Sequence, residues 1–383
     1  MSKKIISYGR HFVDEDDINQ VIKTLESDFL TQGPVVEEFE IEFAKYIGSK
    51  YAIAVSNGTA ALHLSAIALS VKKGSKVITT PNSFLATSNC IEYCEGEVEF
   101  CDIDPNSFCI DIDKLKKILQ NSPKKTYQGI IPVNFGGFPV NMELLRELAN
   151  EYGLWILEDS CHSPGGYFFD KKGKKQNCGN GYFSDLSIFS FHPVKHITTG
   201  EGGMITTNSK RLYNKIQSLK SHGIIRDKKK IECEGSWFYE MKSLGFNYRI
   251  PDILCALGIS QLKKAPKYLK KRKQIANRYH QAFLPYSDEI KMQEFSKGHA
   301  YHLFVINVIK RKELYEFLRE RKINCQIHYI PIYKQPYYIA KYGKQFLENM
   351  ENYYKTCLSL PIYPSLSDEE QFFVINSIKE FYE

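Results

Sequence analysis

The sequence predicts an α/β protein, a mostly parallel sheet sandwiched by helices with a smaller α+β region after it. Three observations carry that expectation. Short apolar runs alternate with helical stretches from Tyr51 onward, the pattern of a sheet covered on both faces. Past residue 208 the chain turns mainly helical before a second group of strands. A chain of 383 residues also exceeds what one small core accommodates. Two lobes are therefore expected: a large domain over 1–250 with an N-terminal arm, and a small C-terminal domain over 251–383.

Taken in order, Asp14, Glu15, Asp16 and Asp17 put negative charge where a helix N-terminus favours it. A turn over 29–34 precedes a second amphipathic helix over 35–47. Strands are expected at 51–56, 76–80, 98–102, 129–133 and 155–159, with helices at 58–69 and near 84–94, 111–120 and 141–151. An alternating run at 187–191 and a short strand at 204–208 complete the sheet. Helices follow at 210–221, 252–263 and 265–283, then a strand at 302–308, a helix at 312–322, a strand at 324–328 and a terminal helix from Asp368. Without an internal repeat or a low-complexity linker, the lobes should pack tightly. In parallel sheets ligands bind beyond the carboxyl ends of the strands, so the segments after Val55, Thr80, Glu158 and Phe191 should converge on one crevice.

Composition narrows the class. The N-terminal lysines precede no long apolar run, and the most apolar window, 51–71, is interrupted by Ser56, Asn57, His63 and Ser65. Neither a secretory signal nor a membrane span is expected, which points to the cytoplasm. None of the ten cysteines forms a CxxC pair, and reduced, buried thiols without metal are the reading. The net charge of +7 is scattered; it suits an anionic substrate, and no aromatic-basic repeat supports nucleic acid.

Chemistry concentrates at strand ends. Lys195 follows an apolar strand broken at Pro193 and precedes the turn GEGG at 200–203. A partly desolvated amine there loses its proton readily and can form an imine, whereas a surface lysine in a loop would stay charged. Ser56, Asn57, Gly58, Thr59 and Ala60 join a strand to a helix, so backbone N–H groups and the helix dipole offer an anion site; a plain helix cap would use the same residues. No GxGxxG follows a strand, which favours one small phosphate over a dinucleotide. Asp159 ends a strand, and His162 lies three residues on. A buried carboxylate there needs a cation, unless it is only a helix cap. Phosphate cradle, carboxylate and amine together are what pyridoxal phosphate requires, with Phe84 placed to stack on its ring or to serve as core.

The motifs SNGTAAL, TTPNSFLATSN, EDSCH, SFHPVKHITTGEGG, SHG, GFNYR and ALGISQL, in this order, resemble the DegT/DnrJ/EryC1/StrS sugar aminotransferases over residues 8 to about 380. The resemblance implies fold type I, the aspartate-aminotransferase-like fold, and a homodimer with active sites shared at the subunit interface. It implies that Lys195 carries pyridoxal 5′-phosphate, that Asp159 meets the pyridine nitrogen and that His162 sits by the ring. By the same resemblance Gly58, Thr59 and Ser190 contact the phosphate, Phe84 stacks, and Asn247 reaches the phosphate from the neighbouring subunit, with Arg249 fixing that loop. Within the family the residues 190–203, Ser221, His222 and Gly223, and Gln326 to Tyr333 are most similar to nucleotide-sugar 4-aminotransferases of pseudaminic acid synthesis. That similarity implies L-glutamate as amino donor and a UDP-linked 4-keto-6-deoxy sugar as acceptor, with His328 and Tyr329 lining its pocket. His328 could equally be a satisfied core histidine. Viosamine, perosamine and bacillosamine branches share the first motifs, and His192 and His196 carry no assigned role. Lys195 argues against the 3-dehydratases, which replace the lysine with histidine, and no cysteine suits a lyase or desulfurase. A ligand-binding regulator on the same fold would lack turnover, but no helix-turn-helix segment is attached here.

Overall fold

The structure is a computed structural model and describes residues 5–383. β1 (Ile6–Ser7) crosses to the far part of the chain, where it pairs in parallel with Ile323 and Asn324. α1 (Glu15–Leu25) starts in a capping box: Asp14 accepts from the Asp17 N–H and Asp17 from the Asp14 N–H. α2 (Pro34–Ile47) begins on a proline, whose missing N–H is no loss at that position, and ends at Gly48 with φ 86°.

Next come β2 (Tyr51–Val55), α3 (Gly58–Ala68), β3 (Lys76–Thr79), α4 (Ala86–Glu92) and β4 (Glu97–Phe100). α5 (Ile112–Gln120), β5 (Gly129–Ile131), α6 (Met142–Tyr152) and β6 (Trp155–Asp159) continue the alternation. A small hairpin, β7 (Tyr167–Phe169) with β8 (Lys175–Asn177), precedes β9 (Leu186–Ser190) and β10 (Gly203–Thr207). Seven of these strands form one sheet in the order β2-β10-β9-β6-β5-β3-β4. Every neighbouring pair is parallel except those made by β10, which runs antiparallel to both β2 and β9. The interiors of β2, β6 and β9 are fully buried, as a sheet with helices on both faces demands. The expected strands and helices of this half are all present.

α7 (Lys210–Leu219), capped by Ser209, leads to the two-stranded β11 (Ile224–Ile225) and β12 (Glu240–Met241), with α8 (Lys228–Glu234) between them. α9 (Asp252–Phe283) is a single 32-residue helix where the sequence suggests two. Pro266 removes only one backbone hydrogen bond, and burial on both sides of it keeps the helix continuous. Its first half packs Cys255, Ile259 and Leu262 with Phe39, Phe43, Phe189 and Phe191. Its second half gives Ile275, Ala276, Tyr279 and Phe283 to a separate core. That core lies on β13 (Ile290–Met292), β14 (Phe304–Val308) and β16 (Cys357–Leu360), an antiparallel sheet. The remaining elements are α10 (Arg311–Glu320), β15 (Ile323–Asn324), α11 (Pro336–Tyr342), α12 (Glu348–Thr356) and α13 (Asp368–Tyr382).

The strand expected at 324–328 is a correction: only Ile323 and Asn324 are in a strand. Gln326 then makes a lone bridge to Ser359, and the chain leaves the sheet, so His328 lies in irregular backbone rather than on a strand. α9 also carries Arg272, buried to 1% exposure and without a carboxylate partner among the described residues. Its guanidinium donates to the carbonyls of Tyr301, His302 and Ile362 at 3.2, 3.3 and 2.9 Å, and burial pushes its pKa down to about 10. Three buried carbonyls depend on this one group. Arg272→Met should therefore lower stability by about 3 kcal/mol in urea titration, since losing a charged donor leaves acceptors unpaired.

Candidate active site

The carboxyl ends of β2, β3, β6 and β9 open onto one cavity of about 680 Å³. Its lining includes Gly58, Thr59, Ala60, Phe84, Asp159, His162, Ser190, Lys195, His328 and Tyr329, so ten of the twelve expected residues come together. Ser56 does not line it. Its N–H donates to the Tyr248 carbonyl at 2.8 Å, one residue short of the helix start. Asn247 is exposed and outside the cavity of its own chain, paired through its backbone with Ser221.

The first turn of α3 forms one wall. Asn57 caps the helix by accepting from the Ala60 N–H at 2.8 Å, so cap and anion site coexist in one segment. The amides of Gly58 and Thr59 stand where helix geometry offers them no acceptor. Close packing fixes this turn. A Cβ on Gly58 would lie 3.0 Å from the Ser190 Cβ, and one on Gly203 would lie 2.4 Å from the Asn57 carbonyl oxygen. β10 can thus press against the loop only because Gly203 has no side chain.

Asp159, 4% exposed, forms no ion pair among the described residues. One carboxylate oxygen accepts from the Thr87 hydroxyl at 2.7 Å and the other from the Cys161 N–H at 3.1 Å. It does not cap a helix. Phe84 is 60% exposed on the cavity, which excludes it from the core. His162 is buried; its Nδ1 accepts from the Gly136 N–H at 3.2 Å. Burial first, and then the charge of Lys195, hold His162 well below the usual imidazole range, so it is neutral. His328 is both a satisfied core histidine, its Nδ1 2.9 Å from the Ser359 hydroxyl, and part of the lining. Burial pushes it down to about 3. The Tyr329 hydroxyl lies 3.4 Å from His162 Nε2.

Lys195 Nζ lies 3.3 Å from His302 Nε2. Burial lowers the amine below its ordinary value, while Cys161 and Asp159 pull it back up. The site therefore eases loss of the amine's proton, close to a carboxylate that forms no ion pair among the described residues. His196 does not line the cavity: its Nε2 bonds the Ala300 carbonyl at 2.8 Å, and it braces the lysine loop against the segment before β14. His192 and Glu201 stand at the exposed rim. Arg249 donates to the Ser221 hydroxyl at 3.0 Å, within the loop that carries Asn247. Sequence reasoning missed Thr87 and His302. Thr87 lay within reach, three residues after Phe84 on the same helix-opening motif. His302 had no local signal, because it meets Lys195 across 107 residues.

The family model described as the DegT/DnrJ/EryC1/StrS aminotransferase family matches residues 12–379. The chain belongs to that family. It is thus an enzyme, an aminotransferase, with the fold type I architecture. A Campylobacter jejuni protein named UDP-4-amino-4,6-dideoxy-N-acetyl-beta-L-altrosamine transaminase is 38% identical over 98% of this chain and 96% of its own. Helicobacter pylori PseC, an aminotransferase of pseudaminic acid biosynthesis, superposes with a TM-score of 0.90 at 30% identity, covering 98% of this chain and 99% of its own. The PLP-form of Spr1654 from Streptococcus pneumoniae superposes at 0.87 with 25% identity, covering 98% of both chains.

Two changes test the site in the aminotransferase. Gly203→Ala forces the Asn57 carbonyl aside and should weaken phosphate binding at least tenfold, read by titration of pyridoxal phosphate into the cofactor-free chain. Thr87→Val removes one of two bonds to Asp159 and should weaken the same binding by about 1 kcal/mol.

Proposed function

We propose that this sugar aminotransferase moves the amino group of L-glutamate onto C4 of a nucleotide-linked 4-keto-6-deoxy sugar, using pyridoxal 5′-phosphate. The acceptor we assign is UDP-2-acetamido-2,6-dideoxy-β-L-arabino-hexos-4-ulose, giving UDP-4-amino-4,6-dideoxy-N-acetyl-β-L-altrosamine. One observation carries the reading: a lysine amine, a buried carboxylate with no ion pair among the described residues and a helix N-terminus share one cavity. The names of the Campylobacter and Helicobacter relatives support the choice of sugar.

The residues present fit the cofactor. Asp159 forms no ion pair among the described residues and would hold a protonated ring nitrogen. Gly58, Thr59, Ala60 and Ser190 would hold the phosphate, Phe84 one ring face, His162 the ring and its hydroxyl, and Lys195 the carbonyl carbon. When bound, the cofactor supplies an electron sink for the carbon that loses a proton. Lys195 Nζ takes the proton from the α carbon of glutamate and, in the second half, delivers one to C4 of the sugar. Such positioned transfer is typically worth ~10²–10⁴-fold. Burial of Lys195 serves this role, because a protonated amine can take no proton. Asp159 would face the ring through both halves, its carboxylate held in place by the Thr87 hydroxyl and the Cys161 amide. His328 and Tyr329 line the sugar side.

The chain works as a homodimer with shared sites. Asn247 of the partner subunit completes each phosphate cradle, which accords with its exposure outside its own cavity. No described helix is long and apolar enough to cross a membrane, and we place the enzyme in the cytoplasm.

Lys195→Ala should abolish both turnover and the visible absorption of the cofactor-loaded protein; retained transamination in that variant would overturn the mechanism. The substrate is tested with a panel of UDP-, GDP- and dTDP-linked 4-keto sugars, with glutamate consumption as the readout. Amination of the UDP-linked N-acetylated sugar is expected. Amination of only dTDP or GDP sugars would move the enzyme to a viosamine or perosamine branch.

A further inference from the structure

Lys195 makes one side-chain hydrogen bond in this chain, and its partner lies in the small C-terminal region. His302 Nε2 is 3.3 Å from Nζ, and His302 lines the same cavity. Its other ring nitrogen, Nδ1, is buried with no hydrogen-bond partner among the described residues, so among them the lysine amine is the one hydrogen-bond partner of this imidazole. The ring is held on several sides. Its face lies against His162, with ring centroids 4.3 Å apart, and His196 lies 5.8 Å away. Its backbone carbonyl accepts from Arg272 at 3.3 Å, and the next residue, Leu303, donates its N–H to the Gly136 carbonyl at 3.0 Å. A buried side chain fixed this firmly, with a single polar contact, serves that contact.

We infer that His302 is the positioning residue for Lys195, the hydrogen-bond partner that holds Nζ in place whenever that amine is free. The inference rests on the reading of Lys195 as the reactive amine. It acts through the lysine and needs no contact with substrate. Burial keeps the His302 imidazole neutral, and Lys195, His162, His196 and Arg272 all push in the same direction. On its other side the lysine faces Asp159 and Cys161, which favour its charged form. A neutral ring opposite them offers a bond that does not depend on that charge. Either neutral tautomer can make it, as donor to the amine lone pair or acceptor of an amine hydrogen. During each half of transamination the lysine is released and must return to a defined place, and a misplacement of about 1 Å can cost about 10²-fold in rate.

The test uses the full cofactor-free chain, so that it reads the amine rather than turnover. Lys195 is acetylated with acetic anhydride across a pH series, and the modified peptide is quantified by mass spectrometry. His302→Gln keeps a polar atom near the Nε2 position, whereas His302→Phe keeps the ring and loses it. Losing one hydrogen bond of ordinary strength should move the Lys195 midpoint by roughly half a unit to one unit. The expected result is a shifted midpoint in His302→Phe and a near-unchanged one in His302→Gln; an upward shift marks the ring as donor, a downward shift as acceptor. In the loaded enzyme kcat should fall about tenfold or more in the phenylalanine variant with KM for glutamate little changed, and the glutamine variant should recover most of it. Should His302→Phe not fold, His302→Asn replaces it, because its amide reaches only the Nδ1 position. Equal shifts in both variants, no shift in either, or a shift confined to glutamine would each overturn the inference. If Lys195→Ala abolishes turnover while the midpoint stays in place, this inference falls and the catalytic assignment stands; retained turnover in Lys195→Ala sinks the assignment itself.

Discussion

A buried carboxylate next to the site, Glu158, ties together the strand ends on which everything else is mounted. It accepts hydrogen bonds from the Asn134 amide, the hydroxyls of Ser160, Ser184 and Ser187, and the backbone N–H of Gly179. Those donors come from β9, from the turn after β6, from the loop after β5 and from the connection between β8 and β9. Burial pushes its pKa up and the five donors pull it back, so the group is held by bonds rather than by a counter-ion. Burying a carboxylate without such bonds would be prohibitive. The cost is met here by fixing four segments at one point. Asp159 and His162 follow directly on this anchor, and Lys195 leaves the strand that carries Ser187.

Most of the sheet was legible because its signals are local. Apolar runs bounded by caps mark β2 to β6, and the caps Asp111, Asn141 and Ser209 each bond the third helical N–H of the helix they open. The strand-end rule then placed Asp159, Lys195 and the α3 turn on one crevice before any distance was known. What stayed hidden is contact between distant parts of the chain. Arg272 reads as one basic residue among many in a helix, yet it is fully buried because three carbonyls from two other segments converge on it. His302 reads as a histidine at the edge of an apolar strand. Pro266 suggested a helix boundary, but tertiary packing on both sides outweighs one lost bond. The strand expected through residue 328 failed for a related reason: Cys325 and Ile327 pack into two different cores rather than along one ladder, and His328 turns to the cavity.

Electrostatically the site is an amine among neutral imidazoles. His162, His196, His302 and His328 are all kept uncharged, chiefly by burial. Four imidazolium groups here would repel both the lysine and a cationic ring nitrogen. As neutral rings they pack, donate and accept without adding charge, and Asp159 remains the dominant fixed charge near the amine. Histidine-rich surroundings therefore serve here as polar packing, and among the described residues no group of three potential ligands is arranged to hold a metal ion.

The same geometry explains why the reaction class is easier to read than the sugar. The segments at the inner end of the cavity approach one another so closely that few residues fit. Gly203 against Asn57 and Gly58 against Ser190 tolerate no added carbon without movement, which is why they sit in recognisable motifs. The remainder of the wall is different in kind. His192 and Glu201 are exposed on the rim, Phe84 projects into open space, and His328 and Tyr329 hang from irregular backbone after a lone bridge. The exposed side chains of His192, Glu201 and Phe84 can change size or charge without disturbing the sheet. On the proposed function, discrimination between nucleotide sugars would depend on differences of a few contacts in that wall. Close backbone approach constrains the chemistry, while the sugar is selected where the fold imposes least.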